Sequence, residues 1–425
     1  MKDYASIFNS SNDSSALEQK WYLKAETTRG LFIVPLNTDF FYALAGGNIE
    51  FAQGFEVSPH RSGRHANNII KQKKTLSWSL TTFFNIDETV SPGGPTEIDQ
   101  AVRSLFTSLM GREFVRVSGP DPFDGLEYSA ITAPNITFSL FSCVDKFAQQ
   151  ARGCFVSDCE MTFPGDGQAQ LSWSGMGKDA TTIGMSVSVI DNNAGSTVTV
   201  AAGDGRQFKE DGLVMLIEAD GFTRSADSPD GTALVVSGIA GDVVSLSDLA
   251  GAPVVLADSD GSGVGLPIYL VYYEPAAPAA IDNPIVGLRG SITVGGLTAT
   301  NCIRNLTISC ANNHENVDYC FGQDSLAGPL FIPGDRFMAT VELTINMNKE
   351  MVSFYRDIEE FVTKSIDLEL GDNTSRFFKA LLPKVQFPLP SIPVPDSGSI
   401  PVSFSDGIAL QTAQDAADEF QPTFR

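Results

Sequence analysis

Alternating apolar and polar residues mark the β-strands of this chain. Successive side chains of an extended strand point to opposite faces, so a period of two predicts one buried and one polar face. The period is clearest over residues 74–84 and 340–347. The apolar positions are Leu76, Trp78, Leu80, Val341, Leu343 and Ile345. The polar positions are Ser77, Ser79, Thr81, Thr340, Glu342 and Thr344. We expect the apolar set to hold the sheets together.

Two further alternating segments follow tight turns and are predicted to close β-hairpins. The first turn lies at 164–167 and the second at 396–398, and both contain glycine. The apolar positions of the strands that follow are Leu171, Trp173, Val402 and Phe404. We assign these four residues to the sheet cores as well.

Two segments repeat apolar residues every three or four positions, which predicts amphipathic helices. The first has Thr96 as a candidate N-cap, with Asp99 three residues later, and it ends at Gly111. The second follows Asn348. The residues expected to anchor the two helices on the sheets are Ile98, Leu105, Phe106, Phe354, Ile358 and Phe361.

The order of strands, one helix and strands occurs twice, which we interpret as an internal duplication. The predicted fold class is mainly β with two helices, a β-sandwich or barrel in two tandem copies at 27–180 and 285–410. Residues 372–382 are expected to be a connection. The alternative is a β-rich protein in which two strand–helix–strand units occur without duplication.

The remaining segments are predicted to decorate these two copies. Residues 181–284 lack a helical stripe, and their short Val, Leu and Ile runs alternate with Gly and Asp turns. This pattern predicts an inserted small β-barrel-like domain on the outside of the main fold. Residues 1–26 are expected to form a loose polar N-terminal arm, and residues 411–425 a C-terminal arm.

Composition favours a structural role over catalysis. The net charge is −23, which repels phosphate backbones and suits a surface that DNA slides past, although solubility explains the charge equally well. No G-x-S-x-G elbow occurs, and residues 258–263 have only the beginning of a calcium loop. We therefore predict no catalytic, cofactor-binding or metal-binding residue, and no cofactor.

Cysteine usage and hydropathy add two expectations. The six cysteines form no C-x-x-C pair and only three histidines are present, so zinc-ligand spacing is absent. We expect buried free thiols, with disulfides formed after cell lysis as the alternative. The chain has no apolar run long enough to span a membrane, and its first residues do not form a secretion signal.

Several motifs resemble the tail tube proteins of long-tailed (siphovirus-like) bacteriophages. In that family an extended strand leads through a Gly-Cys entry to a hairpin, whose last strand closes with Ser-Gly-x-Gly. The matching segments here are 153–156, 159–163 and 170–177, with a family-like entry at 26–30 and a second set at 303–308, 312–313, 319–322 and 340–346.

This resemblance implies a structural virion protein that stacks in rings to form the conduit for genome ejection. Single-copy members form rings of six, so a duplicated chain is expected to form rings of three, with six as the alternative. The implied partners are further copies of the chain, the terminator and tip proteins, and the tape measure in the lumen. DNA would pass without specific binding, through a non-contractile tail assembled in the bacterial cytoplasm.

Two other functions stay open at this stage. One is a different virion component, such as a tail terminator, a tip protein or a decoration protein. The other is a β-rich carbohydrate-binding or hydrolytic protein, which would expose a row of Trp and Tyr beside paired carboxylates. Only three tryptophans occur, namely Trp21, Trp78 and Trp173, and two of them fall at predicted core positions.

Overall fold

The structure is a computed structural model of the chain, and it is mainly β with two α-helices, which confirms the predicted fold class. It describes residues 19–57, 69–84, 99–116, 125–130, 136–165, 167–185, 189–190, 195–218, 220–256, 269–276, 290–295, 297–298, 303–316, 331–333, 336–349, 351–372, 376–392, 397–414 and 416–424. Predictions on Thr96, Ile98, Cys302, Cys320 and the calcium-like loop at 258–263 lie outside these residues.

The elements fall into three groups along the chain. The first is β1 (Lys20–Ala25), β2 (Phe40–Phe41), β3 (Asn48–Val57), β4 (Ile69–Phe83), α1 (Gln100–Met110), β5 (Gly111–Arg116), β6 (Gly125–Ala130), β7 (Phe138–Val144), β8 (Phe147–Pro164), β9 (Gln170–Gly177) and β10 (Asp179–Gly184). The middle group is β11 (Val189–Ile190), β12 (Thr197–Val200), β13 (Leu213–Ile217), β14 (Leu234–Ala240), β15 (Val243–Ser247) and β16 (Tyr269–Tyr272).

The third group completes the chain. Its elements are β17 (Gly290–Val294), β18 (Leu297–Thr298), β19 (Ile303–Ala311), β20 (His314–Asn316), β21 (Phe331–Pro333), β22 (Met338–Asn346), α2 (Met351–Glu359), β23 (Lys364–Asp372), β24 (Arg376–Gln386), β25 (Pro401–Leu410) and β26 (Gln421–Phe424).

The first and third groups share one pattern of strand pairing. In the first group, antiparallel pairing gives the order β1-β7-β8-β9-β4-β3. In the third group it gives β17-β23-β24-β25-β22-β19. The elements correspond one to one in chain order, and each helix follows the equivalent strand, β4 or β22. This correspondence supports the internal duplication.

The two halves are joined edge to edge through β8 and β19. Their antiparallel register runs from Asn305 opposite Pro164 to Ala311 opposite Asp158. One continuous sheet results, in the order β3-β4-β9-β8-β19-β22-β25, and both halves contribute to its single large core. The strand β8 is long enough to serve two sheets, because its first half pairs with β7 and β10 and its second half with β9 and β19.

The sheet formed by β1, β7 and the first half of β8 is buried on both faces. Every residue of β7 is buried. Phe138 and Leu140 belong to the large core, whereas Phe141 and Cys143 belong to a second core shared with the middle group of strands. The molecule is therefore layered: the continuous sheet, the large core, the β1–β7–β8 sheet, the second core, and the inserted strands.

The inserted strands form one antiparallel sheet in the order β11-β12-β15-β14-β13-β16. Polar contacts join this sheet to the main body in addition to the shared core. The buried Gln150 side chain on β8 donates to the Leu213 carbonyl at 2.9 Å and accepts from the Leu213 N–H at 2.7 Å. Tyr273 donates to the Pro35 carbonyl at 3.1 Å. The insert is thus packed on the body, and the predicted start at 181 is too early because β10 pairs with β8.

Both predicted arms are wrong in their described parts. Residues 20–25 of the N-terminal arm form β1, in which Trp21, Tyr22 and Leu23 are buried. In the C-terminal arm, β26 pairs with β24 and with β6, so it bridges the two halves. Phe424 lies among aromatic rings of both halves, Phe84, Phe106, Tyr128 and Phe378. Apolar residues near each end of the chain therefore complete the cores.

Two smaller predictions also need correction. The segment at 372–382 was expected to be a connection, but β24 covers most of it, because Phe378, Ala380 and Leu382 alternate and are buried. The helix α1 begins at Gln100 with Asp99 as its N-cap, whose carboxylate accepts from the Ala101 N–H. Its end is as predicted, with Gly111 in the left-handed conformation at φ 81°.

A polar cluster fastens α1 to the β5–β6 hairpin. Arg103 donates to both carboxylate oxygens of Glu113, from Nε at 2.8 Å and also from Nη2, and Tyr128 and Thr107 donate to the same carboxylate. Burial alone would raise the pKa of Glu113, but the hydrogen bonds and charge of Arg103, with the bonds from Tyr128 and Thr107, lower it.

We predict that Glu113→Gln lowers the free energy of unfolding at pH 7 by about 1–3 kcal/mol, as expected for a hydrogen-bonded charged group. The carboxylate has a lower pKa in the folded state, so its contribution is present above the ordinary Glu value of 4.5 and is lost as pH falls below it. Urea unfolding of the variant and the wild type from pH 7 to pH 3.5 measures this difference. Glu359→Gln, at an exposed position, is the control. A constant difference across this range would contradict the prediction.

Candidate functional site

The continuous sheet has one apolar face and one polar face. All ten residues predicted for the sheet cores are buried in the large core, each with at most 3% of its surface exposed. These residues are Leu76, Trp78, Leu80, Leu171, Trp173, Val341, Leu343, Ile345, Val402 and Phe404. Their alternation with polar residues leaves the opposite face uncovered, and that face is the candidate functional site.

The same three-residue contact anchors each helix to the apolar face. On β4 and β9, Leu80 lies opposite Trp173, whose ring meets Phe106 of α1 edge to face at 5.0 Å and 88°. On β22 and β25, Leu343 lies opposite Phe404, whose ring meets Phe354 of α2 at 5.4 Å and 89°. The repeated geometry fixes the register between the two copies, with Leu80 equivalent to Leu343 and Trp173 to Phe404.

Five of the six predicted helix anchors are described, and one of them is wrong. Leu105, Phe106, Phe354 and Ile358 are buried, but Phe361 is 80% exposed. The helix α2 ends at Glu359, and Phe361 follows in the left-handed conformation at φ 60°. Its N–H donates to the Ile358 carbonyl, and the Val362 N–H donates to the Asp357 carbonyl. These two bonds form a Schellman motif, which ends the helix before the apolar stripe reaches Phe361.

We predict that Phe106→Ala and Phe354→Ala each destabilise the protein by about 3–5 kcal/mol, because each opens a cavity between helix and sheet. Phe361→Ala removes an identical side chain that is exposed to solvent, so it opens no cavity. It should change the free energy of unfolding by less than about 0.5 kcal/mol. Denaturant unfolding of the three variants measures the contrast. A large loss for Phe361→Ala would show that this side chain is covered in solution.

Hydroxyl and carboxylate side chains dominate the polar face. We define the polar face as Asn48, Glu50, Thr75, Ser77, Ser79, Thr81, Asp158, Glu160, Thr162, Ser172, Ser174, Thr307, Ser309, Thr340, Glu342, Thr344 and Ser403. The predicted polar positions 77, 79, 81, 340, 342 and 344 all belong to it. Two shallow depressions of about 370 and 340 Å³ lie along it, across β4, β9, β8 and β19.

Equivalent hydroxyl pairs occur on the polar face of both copies. Thr81 and Ser172 are 3.3 Å apart, and Thr344 and Ser403 are 3.2 Å apart. These four residues are neighbours of the equivalent residues Leu80, Trp173, Leu343 and Phe404. The side chains of Asp158, Glu160, Glu50 and Glu342 add four carboxylates. The first three were not predicted from the sequence, although Asp158 and Glu160 alternate with the apolar Cys159 and Met161.

The two ends of the continuous sheet are open among the described residues. The strand β3 pairs only with β4. One edge of β25 pairs with β22. The other edge pairs with β24 only at residues 408–410, so along residues 401–406 it is unpaired in the described structure. Unpaired strand edges readily pair with another chain. The surface thus combines a polar face with two edges that are free to associate.

Hydroxyl and carboxylate groups give the polar face hydrogen-bonding capacity and negative charge. Among the described residues, no group of three or more His, Cys, Asp or Glu side chains is arranged to hold a metal ion. The three tryptophans are buried, so none contributes an aromatic platform for sugars. The structure, in the parts it describes, has no helix that is both long and apolar enough to cross a membrane.

No protein-family model matches the chain, and no curated protein is significantly similar to it.

Proposed function

We propose that the chain is a structural subunit of a phage tail tube, which closes into rings around a DNA-conducting lumen. The observation that carries the proposal is the continuous sheet, which has a hydroxyl- and carboxylate-rich face and two open edges. Closing such a sheet into a barrel removes its edges, and a large barrel leaves a water-filled interior. The resemblance of the sequence motifs to tail tube proteins points to the same function.

The internal junction between the halves suggests how chains would join. Within one chain, β8 of the first copy pairs with β19 of the second. The duplication makes β3 the equivalent of β19, and makes the chain from Gln386 onwards the equivalent of the second half of β8. Pairing β3 of one chain with the open edge near β25 of the next would repeat the internal junction. Three chains would then supply six equivalent sheets to one ring.

The layered structure favours one orientation of the chain in such a ring. The polar face lies on one side of the large core, and the inserted strands lie beyond the β1–β7–β8 sheet on the other side. A ring with the polar face inside would therefore carry the insert outside. Carboxylates such as Asp158, Glu160 and Glu342 would repel the phosphates of passing DNA, and hydroxyl groups would keep the wall hydrated. DNA would then move through the lumen without being held.

The β3–β4 hairpin is suited to contacts between stacked rings. All described residues from Ala52 to Val57 and from Ile69 to Gln72 are exposed. They include the apolar residues Phe55, Val57, Ile69 and Ile70, which are between 49% and 69% exposed. Exposed apolar residues on a protruding hairpin are typical of an interaction site. We place this hairpin against the next ring, with the tail terminator, tip and tape measure as further partners of the tube.

We predict that the purified protein forms hollow cylinders whose end-on averages show three outer lobes, one for each insert. Negative-stain electron microscopy measures this. A double variant, Phe55→Ser with Ile69→Ser, should yield single rings, because it removes apolar contacts between rings and leaves the lateral edges intact. Six outer lobes would keep the tube and reject the trimer. Monomers that never assemble would favour a β-rich binding protein, and single rings of wild type would favour a terminator or tip protein.

The residue-level register of the junction gives a sharper prediction. Glu50 is equivalent to Ser309, because their partners Ser77 and Thr340 each lie three residues before the equivalent leucines. Ser309 lies opposite Glu160. Phe155 pairs with Met176, and Gln386 pairs with Ile408. Met176 and Ile408 are equivalent, so Phe155 corresponds to Gln386. Glu160 lies five residues after Phe155, and its equivalent is therefore the residue five positions after Gln386. The predicted contact across chains is therefore Glu50 with Ser391.

We expect the double variant Glu50→Cys with Ser391→Cys to form cross-links between chains on mild oxidation. A non-reducing denaturing gel should show two- and three-chain species and none larger, because a closed ring of three has no further partner. The control is Glu50→Cys with Glu359→Cys, which places the second thiol on an exposed part of α2. A ladder beyond three chains would reject the closed trimer, and equal cross-linking of the control would reject the proposed register.

A further inference from the structure

Two cysteines face each other across the junction between the two halves. In the antiparallel register of β8 and β19, Cys159 lies directly opposite Cys310. The positions on either side, Ser309 opposite Glu160 and Ala311 opposite Asp158, belong to the polar side of the sheet. Both cysteine side chains point into the large core, and each is 1% exposed.

The geometry of this pair is compatible with a disulfide bond. Directly opposed residues of antiparallel strands have Cα atoms about 4.5 or 5.5 Å apart, depending on the hydrogen-bonding position. Disulfides occur at Cα separations of about 4.4–6.8 Å. The two side chains leave their strands on the same face of the sheet and enter the same core. Both cysteines are free thiols in the structure.

We propose that Cys159 and Cys310 are an oxidisable pair, which forms a disulfide across the junction when the protein meets a peroxide. The Sγ atom of one thiolate attacks a peroxide oxygen, giving a sulfenic acid and releasing one water molecule from hydrogen peroxide. The second sulfur displaces the sulfenic hydroxyl as a second water molecule. Together the two thiols lose two electrons and two protons, and one hydrogen peroxide is reduced to two water molecules.

The surroundings of the pair slow its oxidation at neutral pH. Burial raises the pKa of Cys159, and Cys310 and the carboxylates of Glu160 and Asp158 raise it further. Burial, followed by the charge of Glu419, raises the pKa of Cys310. The reactive thiolate is therefore scarce at neutral pH, so oxidation is slow there and accelerates as pH rises. Each side chain is 1% exposed, so a small oxidant such as hydrogen peroxide reaches the pair more easily than a large disulfide does.

A bond at this position would have one structural consequence. It would enclose residues 160–309, which include the whole insert, in a covalent loop. Cross-linking a long loop restricts the unfolded chain and so stabilises the folded one. The bond would also prevent β19 from separating from β8. This inference rests on the strand register and on the burial of the pair, and it is independent of the proposed role in a tail tube.

The test is peptide mapping of the full-length protein after treatment with hydrogen peroxide. Treated protein is denatured, alkylated and digested, and disulfide-linked peptides are identified by mass spectrometry. We expect a linked peptide that joins Cys159 to Cys310, formed faster at pH 9 than at pH 7. Cys154, which is equally buried but lies opposite Phe138, should be recovered alkylated. The oxidised wild type should unfold at a higher temperature than the reduced protein.

The variants Cys310→Ala and Cys310→Ser serve as matched controls, and oxidation should not raise the unfolding temperature of either. Recovery of both Cys159 and Cys310 as alkylated thiols, under conditions that fully oxidise a model dithiol peptide, would overturn the proposal. So would a linkage of either residue to another cysteine, or oxidation of Cys154 at the same rate. Because the mapping uses the wild type, the result does not depend on whether the variants fold.

Discussion

The pairing of β8 with β19 is the interaction on which the rest of the structure depends. It turns two separate sheets into one sheet, with one apolar face for a shared core and one polar face without cover. Strand pairs of this kind gain from main-chain hydrogen bonds and from contacts between opposed side chains. At this junction the opposed apolar pairs are Leu306 with Phe163, Ile308 with Met161, and Cys310 with Cys159. The core of each half is thereby continued into the other.

Residues far apart in the sequence reinforce this junction. The strand β26 pairs with β24 of the second half and with β6 of the first. The ring of Phe424 stacks on Phe84 at 5.7 Å and meets Phe106 edge to face at 5.1 Å. The insert is held on the other side, through the buried Gln150 and the second core. The chain is therefore one packed unit, although the duplication and the insert divide its sequence.

Local pattern was a good guide where one face of an element is buried and the other is solvated. The alternation at 76–81 and 341–345 predicted both the core and the polar face, because a period of two has a single interpretation there. The pattern did not predict elements in which buried and exposed residues do not alternate. Every residue of β7 is buried, so its sequence does not show that the strand lies between two cores. The apolar run at 21–23 is short and lies in a polar segment, so β1 was not predicted from it.

A helix end without a glycine and the pairing of distant strands were also not predicted from the sequence. The helix α2 ends at Glu359, two residues before the predicted anchor Phe361, because a Schellman motif with a phenylalanine at the left-handed position has no glycine signal. The register of β8 with β19, and hence the facing cysteines and the row of carboxylates, depends on strands separated by more than a hundred residues. Nothing in either strand by itself specifies its partner, because many alternating segments of this chain would satisfy the same edge.

The position of β26 has a consequence for how the protein matures. Phe424 fills a space in the core of the first half, between Phe84, Phe106 and Tyr128. Synthesis runs from the N-terminus, so that half emerges from the ribosome with this space unfilled and with the edge of β8 unpaired until β19 follows. The core of the first half is therefore complete only after β26, at residues 421–424, has been synthesised. Non-local contacts of this kind slow folding.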